Sequence, residues 1–340
     1  MNLNSIGWRE FFALQTEAHP GLTPGRVAQT QREHFQVWTE DGQVDAQPSG
    51  RLRRERGLWP TTGDWVMLRP EGWIEAVLNR QTMLERKRPG GEAGAQILAA
   101  NLDVLFVVAG LDHDFNPRRL ERYMVLARQG GVRPVLVLNK ADLHGDLDGV
   151  IARTKELAGE IPVMAVSARE GWSVEDLNQF VAPGETAALA GSSGVGKSTL
   201  LNRLLGEDRQ LTQAVRAGDG RGMHTTTVRE MFVLPQGWLL MDLPGIRELQ
   251  LLGGGDSVED LFTDITLTAQ SCRFRDCRHE AEPGCAVQSA IDPARLASFH
   301  KLRLEAAHAQ RETDLRVALE QKKKAKVIHK AVRDRPGYDD

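Results

Sequence analysis

One run, Gly191-Ser192-Ser193-Gly194-Val195-Gly196-Lys197-Ser198, limits what this chain can become more than any other. It fits the spacing Gly-x4-Gly-Lys-Ser/Thr, in which glycines let the backbone turn so tightly that successive N–H groups converge on phosphate oxygens. The flanks agree. Apolar Ala187–Ala190 reads as a strand leading in, and Thr199–Leu205 as a helix leading out, whose positive end adds to the same point. An ordinary Gly/Ser turn would need neither Lys197 nor Ser198. The lysine is placed to reach the β- and γ-phosphates as a point charge, and the Ser198 hydroxyl to complete the shell of a magnesium ion. Gly191–Thr199 is therefore expected to hold a di- or triphosphate.

The surroundings of the loop say which nucleotide. From about residue 97 the chain has the texture of a parallel α/β layer, with buried-strand runs at Val104–Ala109, Val135–Leu138 and Val163–Val166 and a helix predicted over Pro117–Gln129. The second run ends in Asn139-Lys140-Ala141-Asp142 and the third in Ser167-Ala168. A carboxylate at Asp142 accepts two hydrogen bonds from the ring N–H and exocyclic amine of guanine, a pair that adenine does not present. Asn139 is expected to contact the base and brace the phosphate loop, Lys140 to lie along the ring, and the Ser167 and Ala168 amides to close over the guanine oxygen. The tetrapeptide alone is a weak signal, but beside a phosphate loop and a Ser-Ala pair it is a strong one. In GTPases of the Ras-like class these boxes follow the phosphate loop, whereas here they precede it by roughly fifty residues, so the domain reads as circularly permuted. The site survives because ligand contacts sit at the carboxyl ends of the same parallel strands, whichever is visited first.

Beyond the loop helix, polar and glycine-rich residues 207–223 run into His224-Thr225-Thr226-Thr227. A first switch is expected here, with the Thr225 or Thr226 hydroxyl available to magnesium. Strands predicted at Val228–Leu234 and Trp238–Met241 follow, the second ending in Asp242-Leu243-Pro244-Gly245. Asp242 would hold magnesium through water, and the Gly245 amide would donate to the γ-phosphate, so Lys197 and Gly245 are expected to act on the reacting phosphate. Ile246 stands where Ras-like enzymes orient the attacking water with glutamine. Its side chain has no donor or acceptor, which predicts slow intrinsic hydrolysis. His224 is the candidate for positioning water, against the alternative of a structural or solvated histidine.

The remaining chain reads as two flanking modules. Residues from about 26 to 85 alternate in strand fashion, as in Phe35 and Val37 against Gln36 and Trp38, with turn signals between runs. This suggests a small closed β-barrel of the OB-fold type over 1–90. Between two of its strands lies Arg51-Leu52-Arg53-Arg54-Glu55-Arg56, suited to track a phosphate backbone or, in the plainer reading, a solvated loop. The permuted α/β GTPase domain is expected over 91–255 and a third unit over 256–340. There, all three cysteines of the chain gather with one histidine as Cys272-x4-Cys277-x-His279-x5-Cys285. Three thiolates and an imidazole make a closed tetrahedral set for one structural zinc ion, with no open position for catalysis.

From Pro293 to about Arg333 the chain reads as helix. Between Lys301 and Arg335 eleven Lys or Arg stand against five Asp or Glu, which suggests RNA phosphate as the partner, the alternative being a frayed, solvated terminus. A net charge of -3 over 340 residues names no partner by itself. No apolar run approaches the ~18 residues of a membrane span, and the amino terminus lacks a basic-then-apolar leader. A cytoplasmic protein that uses no membrane is expected, and nothing in the sequence demands a second copy, so a monomer is expected too.

Asn139-Lys140-Ala141-Asp142 ahead of Gly191–Thr199, then His224-Thr225-Thr226, Asp242-Leu243-Pro244-Gly245-Ile246 and the zinc set resemble the bacterial ribosome-small-subunit-dependent GTPase family, RsgA, over almost the whole chain. Members more often carry Ser or Thr where Leu243 stands, a position with no phosphate contact to lose. The resemblance implies a late assembly factor for the small ribosomal subunit. Barrel and zinc domain would contact ribosomal RNA near the decoding region, the subunit would stimulate hydrolysis of GTP to GDP and phosphate, and the GDP form would leave. Other assembly factors are further expected partners. The permutation also joins the second switch almost directly to the zinc domain, so loss of the γ-phosphate is expected to shift that domain's RNA contacts. Two other classes use parts of this pattern. A nucleotide-dependent metabolic enzyme would need an acceptor-binding cluster, which the sequence lacks, and a zinc-dependent DNA-binding regulator would not need guanine selectivity.

Overall fold

The computed structural model describes residues 1–54, 59–87, 95–112, 115–206, 229–243 and 255–333. Two compact units emerge, Met1–Arg86 with Gln96–Leu249, and Lys87–Ala95 with Gln250–Asp340.

In the first unit, β1 (Thr23–Gln31), β2 (His34–Thr39), β3 (Gly42–Pro48), β4 (Trp65–Leu68) and β5 (Trp73–Val77) close in the order 1-2-3-5-4-1, with β3 and β5 parallel, as in an OB-fold. Alternation drives the closure: Val27, Phe35, Val37, Val66, Leu68 and Ile74 fill the interior. β1 serves two neighbours because its register shifts between Val27 and Gln29, a bulge that bends the strand. Trp65 faces away from that interior yet is fully buried, covered by Trp8 at 4.6 Å and by Phe12 at 5.7 Å from α1 (Glu10–Thr16). The basic run between strands is not loop throughout. It begins as a short helix, α2 (Gly50–Arg54), because Ser49 Oγ caps the Leu52 N–H at 3.2 Å and Leu52 buries itself in the barrel core.

A separate two-stranded sheet, β6 (Met83–Lys87) and β7 (Ala95–Ala100), leads to the α/β layer. There β8 (Val104–Gly110), β9 (Arg133–Asn139), β10 (Val163–Ala165), β11 (Thr186–Ala190), β12 (Arg229–Val233) and β13 (Leu239–Asp242) lie in the order 10-9-8-11-13-12, all parallel except β12. From β8 the chain moves outward to β10, then returns to β11 on the other side of β8, passes to β12 and turns back into β13 between β11 and β12. The reversal leaves a crevice at the carboxyl ends of β8 and β11, where open α/β sheets bind ligands. Helices α3 (Pro117–Gln129), α4 (Leu147–Ala158) and α5 (Lys197–Leu205) cover the layer. α3 begins where Asn116 caps the Arg119 N–H at 3.3 Å and Pro117 presets the first turn.

β12 pairs antiparallel with β1, so barrel and layer share one eleven-stranded sheet among the described residues. Gly63 lies at φ 92°, and a Cβ there would stand 2.1 Å from the Ala100 carbonyl oxygen, so only glycine permits this approach. Beside it Arg26 is 1% exposed and donates to the carbonyls of Ile6, Gly63 and Asn101, burial lowering its pKa to about 10. Asp64 pairs with Arg80 at 2.7 Å in the same seam.

The second unit contains α6 (Gly255–Leu261), α7 (Thr263–Ala269), α8 (Ala286–Ala290) and α9 (Pro293–Arg333). Phe262 and Phe299 pack at 5.4 Å, with Ile265, Val287 and Leu302 buried beside them. Arg295 lies over the Phe262 ring at 4.6 Å and pairs with both Asp264 oxygens at 2.6 and 2.8 Å. Among the described residues, no helix is long and apolar enough to cross a membrane.

Candidate functional site

The phosphate loop leaves the carboxyl end of β11 and enters α5. Gly191 passes so close to β8 that a Cβ would sit 2.2 Å from the Val108 carbonyl oxygen. Gly196, at φ 96°, makes room for Asn139, whose Nδ2 a Cβ would meet at 2.2 Å. Asn139 is 2% exposed. Its carboxamide donates to the Val195 carbonyl at 2.7 Å, 56 residues away, and accepts from the Ala168 N–H at 2.9 Å, 29 residues away. One side chain at the end of β9 thus ties together the base-box strand, the Ser167-Ala168 corner and the phosphate loop. Leaving either partner unmet would cost about 1–3 kcal/mol.

Lys197 Nζ donates to the carbonyls of Gly191 at 2.8 Å and Ser192 at 2.5 Å, which holds the ammonium inside the loop's curve. Ser193 and Gly194 are exposed at the tip, Val195 is buried, and Ser198 and Thr199 are half-buried in the first turn of α5. Asp242 ends β13. Because Met241 pairs with Ala188 on parallel β11, Asp242 stands level with Leu189, next to the start of the loop. His224, Thr225, Thr226 and Gly245, expected at the switches, lie outside the described residues.

On the base side, β9 turns at Lys140 through φ 64°, a left-handed conformation uncommon for a side-chain-bearing residue. The turn brings Lys140 Nζ to 2.6 Å from Asp112 at the end of β8 and leaves Asp142 exposed in the following 3-10 turn. The Ser167 N–H donates to the Trp172 carbonyl at 3.0 Å, and the Ala168 N–H holds Asn139. These amides therefore fix the corner itself, and a base oxygen meeting Ala168 must share its N–H.

Three side chains of the crevice belong to no motif. Asp112 anchors Lys140. Arg119 donates to Ser192 Oγ of the loop. Arg203 of α5 holds the base corner through the carbonyls of Ala168 at 3.2 Å and Arg169 at 2.7 Å. Arg119 alone carried a local signal, since a cation in the first turn of a helix opposes the macrodipole and calls for a tertiary partner.

In the second unit, the ligand atoms of Cys272, Cys277, His279 and Cys285 all lie within 4.8 Å of one another. Cys272 Sγ stands 3.6 Å from His279 Nδ1 and 3.9 Å from Cys285 Sγ, and Cys285 Sγ is 3.5 Å from His279 Nδ1. A tetrahedral zinc with Zn–S of ~2.3 Å has sulfur–sulfur edges of roughly 3.8 Å, so the set has the size that a zinc ion needs. His279 is held at φ 63°, and the N–H groups of Val287 and Ala286 keep the Cys272 thiol below its usual range, favouring the thiolate that binds metal.

Residues 77–252 match the family model described as RsgA GTPase. The chain is 43% identical to the small ribosomal subunit biogenesis GTPase RsgA of Opitutus terrae over 98% of both chains. It is 41% identical to the protein of that name from Leptospira interrogans, over 98% of this chain and 96% of the other. Among solved structures, YjeQ from Thermotoga maritima is similar with a TM-score of 0.63 and 25% identity, over 84% of this chain and 99% of that one. YloQ, described as a circularly permuted GTPase, is similar in fold with a TM-score of 0.60 and 23% identity, over 85% of this chain and 96% of that one.

Proposed function

This chain belongs to the RsgA GTPase family and is a GTP hydrolase of small ribosomal subunit biogenesis, and we propose that the subunit switches its turnover on late in assembly, after which the GDP form leaves. The observation that supports the nucleotide site in this reading is the Asn139 carboxamide, which links the Asn-Lys-x-Asp strand, the Ser-Ala corner and the phosphate loop despite their permuted order.

In that site Asp142 reads guanine, Lys140 lies along the ring, and Ser167 and Ala168 close over its oxygen. Gly191–Thr199 cradle the phosphates, with Lys197 on the β and γ groups. Magnesium, when bound, neutralises charge developing on the transferred phosphate, and Ser198, Thr225 or Thr226, and Asp242 are the residues to hold it. Gly245 senses the γ-phosphate and His224 positions the attacking water, a task that Ile246 cannot perform. Cys272, Cys277, His279 and Cys285 hold one structural zinc.

The functional division is a barrel over 1–90 and a metal-binding, basic helical part over 256–340, both contacting ribosomal RNA, around a GTPase domain over 91–255. The protein works in the cytoplasm as a monomer, alongside other assembly factors. A route from RNA to nucleotide is supported by the ladder in which Gln29 of β1 pairs with Glu230 of β12 and Glu230 with Asp242 of β13.

The test is GTP turnover measured with purified small subunits, large subunits and DNA. A rise with small subunits alone is expected. A flat response to all three overturns subunit stimulation.

A further inference from the structure

The side chain of Lys140 is held at both ends. Its backbone turns through φ 64° where β9 stops, and its Nζ lies 2.6 Å from an oxygen of Asp112, two residues past the end of β8. β8 and β9 are adjacent and parallel, with Gly110 directly opposite Asn139, so the methylenes between the two anchors cross from the mouth of one strand to the mouth of the next. β8 is also the neighbour of β11, from which the phosphate loop departs. The stem therefore runs from the Asn-Lys-x-Asp box toward the phosphate side of the crevice.

The carboxylate is itself fixed. The Leu111 N–H donates to the Asn139 carbonyl at 2.8 Å, and the Asp112 carbonyl accepts from the Phe115 N–H at 3.1 Å, so the backbone is pinned on either side of the residue. The side chain lies back over the end of its own strand, where a Cβ on Gly110 would stand 3.2 Å from Oδ1, tighter than side chains normally pack. Glycine at 110 leaves that space. Both partners are partly sheltered, with 27% of the Lys140 and 22% of the Asp112 side chain exposed, so water screens the pair less than it would an open surface pair.

A lysine stem left to itself samples many rotamers, and ordering it on a ligand costs more than for most other side chains. An ammonium without a counter-charge would also be drawn to bound phosphates and away from the base. Asp112 meets both problems before a nucleotide arrives: it stretches the stem into an apolar strip and gives the ammonium a fixed partner.

We propose that Asp112 is a positioning residue for nucleotide binding, acting through Lys140 by holding its methylenes as a preformed shelf for the guanine ring. The inference rests on the reading above that Lys140 lies along the base, and it adds the group that holds the lysine there.

The test is a double-mutant cycle on the full-length protein, with affinities and dissociation rates measured for fluorescent analogues of GDP and of a non-hydrolysable GTP. Asp112→Ala should weaken both nucleotides by the same factor, about fivefold, chiefly through faster dissociation, because the shelf meets the base and not the γ-phosphate. In a Lys140→Ala background the same change should cost nothing further, since the stem it positions is gone. Asp112→Asn keeps the shape and drops the charge, and should weaken binding in the same direction. Losses that repeat in full on Lys140→Ala, or that fall on the GTP analogue alone, give Asp112 a role other than positioning the stem and overturn the proposal. Tighter binding overturns it too, because Asp112 would then be competing with the nucleotide for the lysine, and so does unchanged binding in either Asp112 variant. Failure of the underlying reading looks different: Lys140→Ala and Asp142→Asn would then leave guanine-nucleotide affinity intact. If those two variants weaken binding while the Asp112 variants do not, only the role of Asp112 fails.

Discussion

At the nucleotide corner, Asn139 meets a protein donor and a protein acceptor, and Lys197 meets two loop carbonyls. At the cysteine cluster, Cys272, Cys285 and His279 meet chiefly one another. The first is organised by protein atoms and adds a ligand to a finished shape. The second crowds three thiols and an imidazole into a set of the size that a zinc ion needs. The difference teaches that a nucleotide would add function to a first unit already shaped, whereas a metal would add folding free energy to the second.

The sharpest way to break this contrast is to remove the metal. Structural zinc contributes about 10–16 kcal/mol in small zinc-binding peptides, on the scale of a whole small domain's stability. Chelation or Cys285→Ser should unfold that unit and leave the first able to bind GDP, as read by calorimetry and a fluorescent GDP analogue. A single melting transition that is indifferent to chelator would end the comparison.

Next in size is exposed Asp142, the proposed base reader. Asp142→Asn removes two charge-assisted hydrogen bonds of about 1.5–3 kcal/mol each, so GTP affinity should fall about 10²- to 10⁴-fold while xanthosine triphosphate gains. Unchanged GTP preference would remove Asp142 from the site.

Asn139→Ala should weaken GDP binding about 10²-fold, because two buried partners lose their mate at about 1–3 kcal/mol each. A lowered Tm with affinity intact would make Asn139 an ordinary buried amide and dissolve the contrast from the other side.

The smallest effect concerns the ion pair of the second unit. Burial alone would raise the Asp264 carboxyl, but Arg295 outweighs it and holds the group below its ordinary range. The unfolded chain then binds the proton more readily, so this stabilisation is fully present above the unfolded pKa of about 3.9 and is lost as pH falls from there through the lower folded pKa. For a pair this solvated, ~1 kcal/mol or less is expected. Asp264→Asn should flatten the decline in Tm between about pH 5 and 3 by a degree or two. An equal decline in both proteins would deny the pair any role.

Much of this was legible in the linear chain. The α3 and α9 ranges follow from Pro117 and Pro293 at their starts, and the loop, the base box and the cysteine set are motifs whose residues lie together in one short stretch each. Other features were not legible. Arg51-Leu52-Arg53-Arg54 reads as a basic loop until Leu52 is seen in the barrel core, and nothing in Asp112 or Arg203 announces Lys140 or Ala168. Gln29, Gln36 and Asp45 are unremarkable polar strand residues until register aligns them.

The sequence by itself determined which motifs the chain carries: an Asn-Lys-x-Asp box, a phosphate loop in permuted order, and a Cys3His set that could hold a metal. Only the tertiary structure decided that β1 would pair with β12, that the asparagine expected to brace the phosphate loop would also hold the Ala168 N–H, and that polar residues of three strands would line up across the sheet. The physical reason is range. Backbone turns and metal-ligand spacing are set by neighbours in sequence, whereas register and face are set by which buried surfaces close on each other, and that choice belongs to the whole core.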